Sequence, residues 1–291
     1  MNFYVDLHCH TSASDGSLNL TELHRLAAAA GLFAIAITDH DTLDGWASWS
    51  GRMNSFSNPE ILPGVELSTN DSRIPRSIHL IGLGIPLNGH VALTLDRLAQ
   101  SRNARNRKII HALSDLGVPI GSRDREWILS RPIAGRAHIA AALVRAGHVK
   151  NLDLAFERYL NTGKPAYVNR KRLGFAEAIQ LIRKDGGVSV LCHPNFLGLS
   201  EDQLESFLAY AVGQGLDAVE TRYSEYSEDF VKWVDSAARR HGLLPCGGSD
   251  FHGRLKPGIL PGLGRGGLRI PQSYYVSILE RISSIRSAIE S

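Results

Sequence analysis

"YVDLHCHTSASDGS", residues 4–17, begins as an apolar run and ends in a polar loop closed by glycine. Read as a strand, its side chains alternate, so Asp6, His8 and His10 share one face and Cys9 turns to the other. Asp15 follows in the loop. An H-x-H pair is weak on its own, because 12 histidines in 291 residues generate such pairs by chance. What gives it weight is position. In α/β barrels, functional side chains gather at the C-terminal ends of strands and in the loops after them.

The same pattern recurs along the chain. "LFAIAITDHD" (32–41) is an apolar strand ending in Asp39, His40 and Asp41. "ILPGVELST" (61–69) carries Glu66, and "VSVLCHP" (188–194) ends in His193. "LLPCGGSDFH" (243–252) repeats the i, i+2 arrangement with Asp250 and His252. "SIHLIGLGI" (77–85) places His79 at the start of its run, which fits the strand-end rule less well. Helical spacing marks 19–31, 175–187, 200–215, 227–242 and 273–289. Strands regularly followed by helices imply parallel pairing and an α/β sheet or barrel. Residues 101–164 read as helical throughout and break the rhythm, so the barrel is expected from 1–100 and 165–291, with 101–164 as an insertion.

Composition narrows the class. A hydrophobic share of 43% and a charged share of 21% are those of a soluble globular protein. No apolar run is long enough for a membrane span, and the N-terminal residues lack the signal-peptide pattern. Cys9, Cys192 and Cys246 are an odd, sparse set inside apolar runs, which points to a reduced, cytoplasmic protein without a disulfide framework. The net charge of +3 conceals an asymmetry: residues 101–172 hold 15 Lys+Arg against 5 Asp+Glu, and the remainder holds 17 against 24. Such a division points to an anionic partner for the basic part. Nine candidates, His8, His10, Asp15, His40, Glu66, His79, His193, Asp250 and His252, come from six segments. A donor set of imidazole and carboxylate alone suits manganese, iron or zinc.

The ordered set "DLHCHTSASDG", "ITDHDT", "PGVELS", "IHLIG", "CHP" and "GGSDFHG" resembles the PHP (polymerase and histidinol phosphatase) phosphoesterases from Asp6 to Gly253. The resemblance implies a distorted (β/α)7 barrel, with the mid-chain helical insertion contributing to substrate binding. It also implies three divalent metal ions, manganese first with iron or zinc as alternatives. In that ligand set His8, His10, Glu66 and Asp250 hold one ion. Asp15, His40 and His252 hold a second, and Glu66 bridges to a third held with His79 and His193. Asp250, His193 and His40 are the catalytic candidates, and Asp6 is a candidate for orienting an imidazole.

Bound metals would lower the pKa of water and neutralise phosphoryl oxygens. A second phosphate would need further cations, for which Arg is suited by its planar fork. "AGRAHIAAALV" (134–144) is similar to the segment of standalone PHP phosphatases that approaches the substrate phosphate through Arg136 and His138. Lys164 and Arg170 are candidates for a second phosphate, and Tyr167 for stacking on a base. "RNARNRK" (102–108) is a weaker phosphate candidate still, because helical Arg clusters are often only solvated faces. The glycine-rich stretch 253–267 is a weak candidate for cradling phosphate with backbone N–H groups.

The overall layout, a barrel with a basic helical insertion, resembles the standalone nucleoside 3′,5′-bisphosphate phosphatases, which implies a nucleoside 3′,5′-bisphosphate losing its 3′-phosphate as substrate. Exonuclease action on short 5′-phosphorylated RNA or DNA is the second reading, and histidinol phosphatase the third. A non-enzymatic nucleic-acid-binding module is a fourth, disfavoured by the lack of any recognition-module signature. No obligate protein partner and no membrane association are expected.

Overall fold

The computed structural model describes residues 3–49, 59–131, 133–169 and 172–291. In chain order the elements are β1 (Tyr4–Cys9), α1 (Leu20–Ala29), β2 (Ala34–Ile37), α2 (Asp44–Ala47), β3 (Glu60–Asp71) and β4 (Ile74–Leu83). Four helices follow, α3 (His90–Asp115), α4 (Ser122–Ser130), α5 (Arg136–Arg145) and α6 (Leu152–Ala155), the last running into a π-helical turn, Phe156–Leu160. The remaining elements are β5 (Leu173–Gly174), α7 (Phe175–Lys184), β6 (Val188–Leu191), α8 (Glu201–Gly213), β7 (Ala218–Tyr223), α9 (Glu228–Arg240), β8 (Leu244–Gly248), β9 (Ile270–Pro271) and α10 (Gln272–Glu290).

Two compact units result: Met1–Leu93 with Leu173–Ser291, and Thr94–Arg172. The first division falls at Leu93/Thr94 rather than at 100/101, because α3 runs unbroken from His90 to Asp115. Asp185 caps the start of that helix, accepting from the His90 and Val91 N–H groups at 2.7 and 2.8 Å. Among the described residues, no helix is long and apolar enough to cross a membrane.

The first unit is a mixed α/β, nearly closed barrel. Its strands run in the order β8-β7-β6-β4-β3-β2-β1, with β9 antiparallel on β1 and β5 on β3. The two ends of this series meet at one rim, where the Asp250 N–H donates to His8 O (2.9 Å) and the His10 N–H to Phe251 O (3.0 Å). All pairings are parallel around the ring except those of β4, which is antiparallel to both β3 and β6. The expectation of uniform strand–helix alternation fails here. Residues 72–73 are too few for a crossover helix, so β3 and β4 form a hairpin and the barrel is distorted.

Alternation along the strands sorts the core. Val5, Leu7, Ala34, Ala36, Ile81 and Val190 pack with Tyr275, Ile278, Ile282 and Ile285 of α10. Cys9, Ile35 and Ile37 pack instead with Leu20, Leu23 and Ala27 of α1. That helix is started by a reciprocal cap, in which the Glu22 N–H donates to the Asn19 side chain and the Asn19 N–H to the Glu22 side chain. In the second unit, Ile109, Leu113, Ile128, Ile139, Leu143 and Leu160 form a separate apolar core.

One close approach fixes the barrel's closure. A Cβ on Gly248 would lie 2.1 Å from the Cβ of His8. Gly248→Ala is therefore expected to destabilise the fold by about 1–3 kcal/mol, read as a lowered denaturant midpoint. Gly213→Ala at the end of α8, where an added Cβ meets nothing within 4 Å, is the control and should leave the midpoint unchanged or slightly raised.

Candidate metal centre

Glu66 sits near the middle of β3, completely buried, and both of its oxygens are faced by imidazoles. Oε1 lies 2.8 Å from His79 Nδ1 and 2.9 Å from His193 Nε2. Oε2 lies 3.3 Å from His8 Nε2, 3.2 Å from His10 Nε2 and 3.1 Å from His40 Nδ1. Asp250 Oδ1 joins the second group, 3.2 Å from His10 Nε2 and 3.6 Å from His8 Nε2. Asp15 reaches in from its half-exposed loop, with Oδ1 3.2 Å from His252 Nε2 and Oδ2 3.6 Å from His40 Nε2.

The nine candidate ligands are thus brought together in four overlapping groups: His10, Asp15, His40 and His252; His8, Glu66 and His193; His8, His10 and Asp250; and His40, Glu66 and His79. The antiparallel sense of β4 explains His79. Its register places His79 opposite Ser68, and the His79 carbonyl accepts from the Cys192 N–H, so the start of β4 lies at the rim where its neighbours end. Three residues here hold left-handed backbone: Asp41 (φ 49°), His193 (φ 32°) and Asp250 (φ 56°). Non-glycine residues avoid this region, and strain of this kind concentrates at functional sites.

The donor set fits metal ions on its own chemistry. His8 Nε2 and His10 Nε2 stand 3.1 Å apart, and each also faces carboxylate oxygens. His10 Nδ1 is buried without a hydrogen-bond partner, its nearest carboxylate oxygen being Asp15 Oδ1 at 3.7 Å. Convergent lone pairs with too few protons between them call for cations. Protons fill that role in the absence of metal. Burial opposes a charge on His10, yet its contacts with Asp250 and Glu66 raise its pKa to about 9. Burial likewise opposes the Glu66 carboxylate, but His40, His79 and His8 hold its pKa well below the usual carboxylate range. His40 is lowered to about 4 by burial and by neighbouring His10 and His79, against the pull of Glu66 and Asp15.

Outer contacts orient the set. Glu220, buried in β7, accepts from His8 Nδ1 (2.8 Å) and from the His193 N–H (2.7 Å). Sequence reasoning missed it, although a carboxylate closing the apolar run "LDAV" was the available signal. Asp39 accepts from the Thr11 N–H, the Thr11 hydroxyl and the Ser14 hydroxyl, which pins the loop carrying Asp15. Tyr223 and Lys256 both donate to Asp250 Oδ2. Cys192, which reads as an apolar strand residue, turns its thiol to Glu66 Oε1 at 3.4 Å, and burial pushes that thiol's pKa up.

Other expectations are corrected. Asp6 touches no imidazole; its side chain accepts from the Ser249 N–H and hydroxyl and the Gly262 N–H. The cause is a register shift in β1 between Asp6 and Cys9, which pairs Asp6 with Ile35 and Cys9 with Ile37 and breaks simple alternation. Within the glycine-rich stretch, the Gly262 N–H serves Asp6 and those of Leu260, Leu263, Gly264 and Gly266 bond within the loop, so these five are not turned to a phosphate. Arg102 and Arg105 are buried rather than solvated, and Arg105 donates to the Asn106 side chain.

In the second unit, the Arg136 guanidinium lies 5.4 Å from the Tyr167 ring and donates to Leu160 O. His138 Nδ1 accepts from the Gly135 N–H at the start of α5, and its ring lies 5.3 Å from Trp127. Lys164 is exposed, in the turn whose carbonyl accepts from the Tyr167 N–H. Arg170 lies outside the described residues.

The His10 pKa gives a pH dependence with a definite sign. Raised from 6.5 to about 9 in the metal-free fold, His10 stabilises that fold fully below pH 6.5 and loses the contribution as pH rises through about 9. Metal binding must displace this proton. Apparent metal affinity should therefore climb between those pH values with measurable proton release, and an affinity flat across this window would contradict the assignment.

Comparison with known proteins agrees with this geometry. The sequence profile of the PHP domain matches residues 6–152. The 3′,5′-nucleoside bisphosphate phosphatase of Chromobacterium violaceum is 32% identical over 251 residues, covering 85% of this chain and 87% of that one. The 5′-3′ exoribonuclease of Haemophilus influenzae is 33% identical over 85% of this chain and 89% of its own. A Bifidobacterium adolescentis crystal structure described as a metal-dependent phosphoesterase aligns with a TM-score of 0.73 at 30% identity, covering 95% of this chain and 96% of that one. The chain belongs to the PHP domain family.

Proposed function

We propose that this phosphate-ester hydrolase is a metal-dependent phosphomonoesterase that removes the 3′-phosphate of nucleoside 3′,5′-bisphosphates and leaves the 5′-monophosphate. The observation that carries the reading is the Glu66-centred cluster, in which six chain segments converge imidazoles and carboxylates on one rim. The 32% identity to a nucleoside bisphosphate phosphatase supports the choice of substrate. Three divalent ions, manganese before iron or zinc, are the proposed cofactors. His8, His10, Glu66 and Asp250 would hold one of them and Glu66 with His79 and His193 another, since one Glu66 oxygen faces His79 and His193 and the other His8, His10 and His40. Asp15, His40 and His252 would hold the third.

When bound, the ions supply acidified water and neutralise the charge on the phosphoryl oxygens. The protein residues supply position. Asp250, fixed through Oδ2 by Tyr223 and Lys256, directs Oδ1 towards His8 and His10. His193 is locked by its left-handed backbone and by Glu220. In the reaction a water oxygen bonds to phosphorus, the bond from phosphorus to the 3′-oxygen breaks, and the departing oxygen takes a proton. His40, the imidazole with its pKa lowered, stays neutral at physiological pH and is available as a ligand. Arg136, His138, Lys164, Arg170 and Tyr167 are the proposed contacts for the second phosphate and the base. The pairing of Arg136 with the Tyr167 ring supports that assignment by presenting a cation beside an aromatic face.

A second reading, 5′-3′ exonuclease action on short 5′-phosphorylated RNA, is favoured by the 33% identity to an exoribonuclease. Cytoplasmic location is also proposed, supported by three buried, unpaired cysteines.

A substrate panel with Mn²⁺ tests the proposal. A nucleoside 3′,5′-bisphosphate should exceed a 5′-monophosphate, histidinol phosphate and a 5′-phosphorylated oligonucleotide in kcat/KM. Preference for the oligonucleotide would hand the assignment to the exonuclease reading. Asp250→Asn and His193→Ala should abolish turnover, and full activity in chelator-stripped protein would sink the metal requirement. Arg136→Ala should lower kcat/KM for the bisphosphate about 10- to 100-fold, as expected when a charged hydrogen bond is lost, and should spare monophosphates.

A further inference from the structure

Phe196 is a large aromatic side chain beside the cluster that the centre does not employ, and it is 42% exposed. It lies in the short 3-10 turn Pro194–Leu197, directly after the ligand candidate His193. Its ring centroid is 5.5 Å from that of His193. The backbone around it is held firmly. The Phe196 N–H donates to His193 O at 3.0 Å, and the Phe196 carbonyl accepts from Arg76 Nη1 at 3.1 Å. Gly198, at φ 71°, leaves room for the Arg76 guanidinium, whose Nε would lie 3.0 Å from any Cβ there. Tyr223 packs edge-on against the ring at 5.8 Å and 88°, and Tyr223 is itself fixed by its hydroxyl bond to Asp250. One residue earlier, Asn195 Oδ1 is buried with no hydrogen-bond partner among the described residues.

We propose that the Phe196 ring is a stacking platform for the base of a nucleotide whose scissile phosphate lies at the Glu66-centred cluster. The inference rests on the nucleotide phosphoesterase reading and adds to it a base contact supplied by the barrel itself. Its chemistry is specific. A planar heteroaromatic gains from a rigid π-face, and that gain tolerates any base because every base presents one. A rigid ring also loses little conformational freedom when a ligand covers it.

The test compares a nucleoside 3′,5′-bisphosphate with its abasic analogue, using the metal-loaded full-length protein. Phe196→Ala should lower kcat/KM for the nucleotide about 10- to 100-fold, the usual effect of removing one base-stacking side chain. It should leave the abasic bisphosphate within about twofold by the same logic, since that compound has no base to stack. Phe196→Trp should restore the nucleotide rate. Equilibrium binding of a nucleoside 5′-monophosphate should weaken by the same factor in Phe196→Ala. An equal effect on both bisphosphates, or no effect on either, overturns the platform while leaving the phosphatase reading intact. A wild-type protein that hydrolyses the abasic compound as well as the nucleotide also overturns it. Failure to hydrolyse any phosphate ester refutes the functional reading instead.

Discussion

Everything at the rim depends on a buried carboxylate that cannot stand alone. Glu66 is fully removed from water, and a lone ionised group there would be prohibitively unfavourable. Five imidazoles resolve the problem by closing on its two oxygens, and in doing so they define where cations must sit. The strands are arranged to make this convergence possible. β1 supplies His8 and the residue just after it His10, β4 runs backwards to supply His79, and the ring closes where Asp250 and Phe251 bond to the end of β1.

Local chemistry and topology divide the molecule's legibility. The six motif segments, the helices between them and the metal-type donor set are all readable from residue identity and strand-end position. Topology is not so readable. His79 looked misplaced because a sequence does not state a strand's direction, and only the β3–β4 hairpin turns the start of β4 towards the rim. Asp6 was assigned to the wrong face because the period of two fails at the register shift between Asp6 and Cys9. Glu220 is a lone carboxylate with no motif around it, and its role exists only through two partners distant in sequence. The Arg102–Lys108 segment carries charge that composition assigns to solvent, yet Arg102 and Arg105 are buried.

Much of the strain and irregularity lies where the chemistry is. The register shifts of β1 and β7 lie next to His8 and Glu220, and the three left-handed non-glycine residues all fall at strand ends beside the cluster. At the other extreme, β-strand side chains and α10 form an apolar core with ordinary alternation. A regular apolar body can hold an irregular rim, because a bulge re-aims a side chain at the expense of local pairing and the body supplies the missing rigidity.

The charge distribution completes the physical case. Outside residues 101–172 the chain carries 17 basic and 24 acidic residues, and a substrate with two phosphates would be repelled by it. Cations on the cluster invert that field locally and can hold one phosphoryl group. In the proposed reading the second phosphate draws on a separate positive source, the excess of 15 basic over 5 acidic residues in 101–172. Placing it in a unit with its own apolar core, rather than among the metal ligands, avoids a conflict. Arginines mixed into the cluster would pair with the same carboxylates, as Lys256 does with Asp250. Separating carboxylate-rich and arginine-rich segments along the chain keeps the two kinds of charge from neutralising one another.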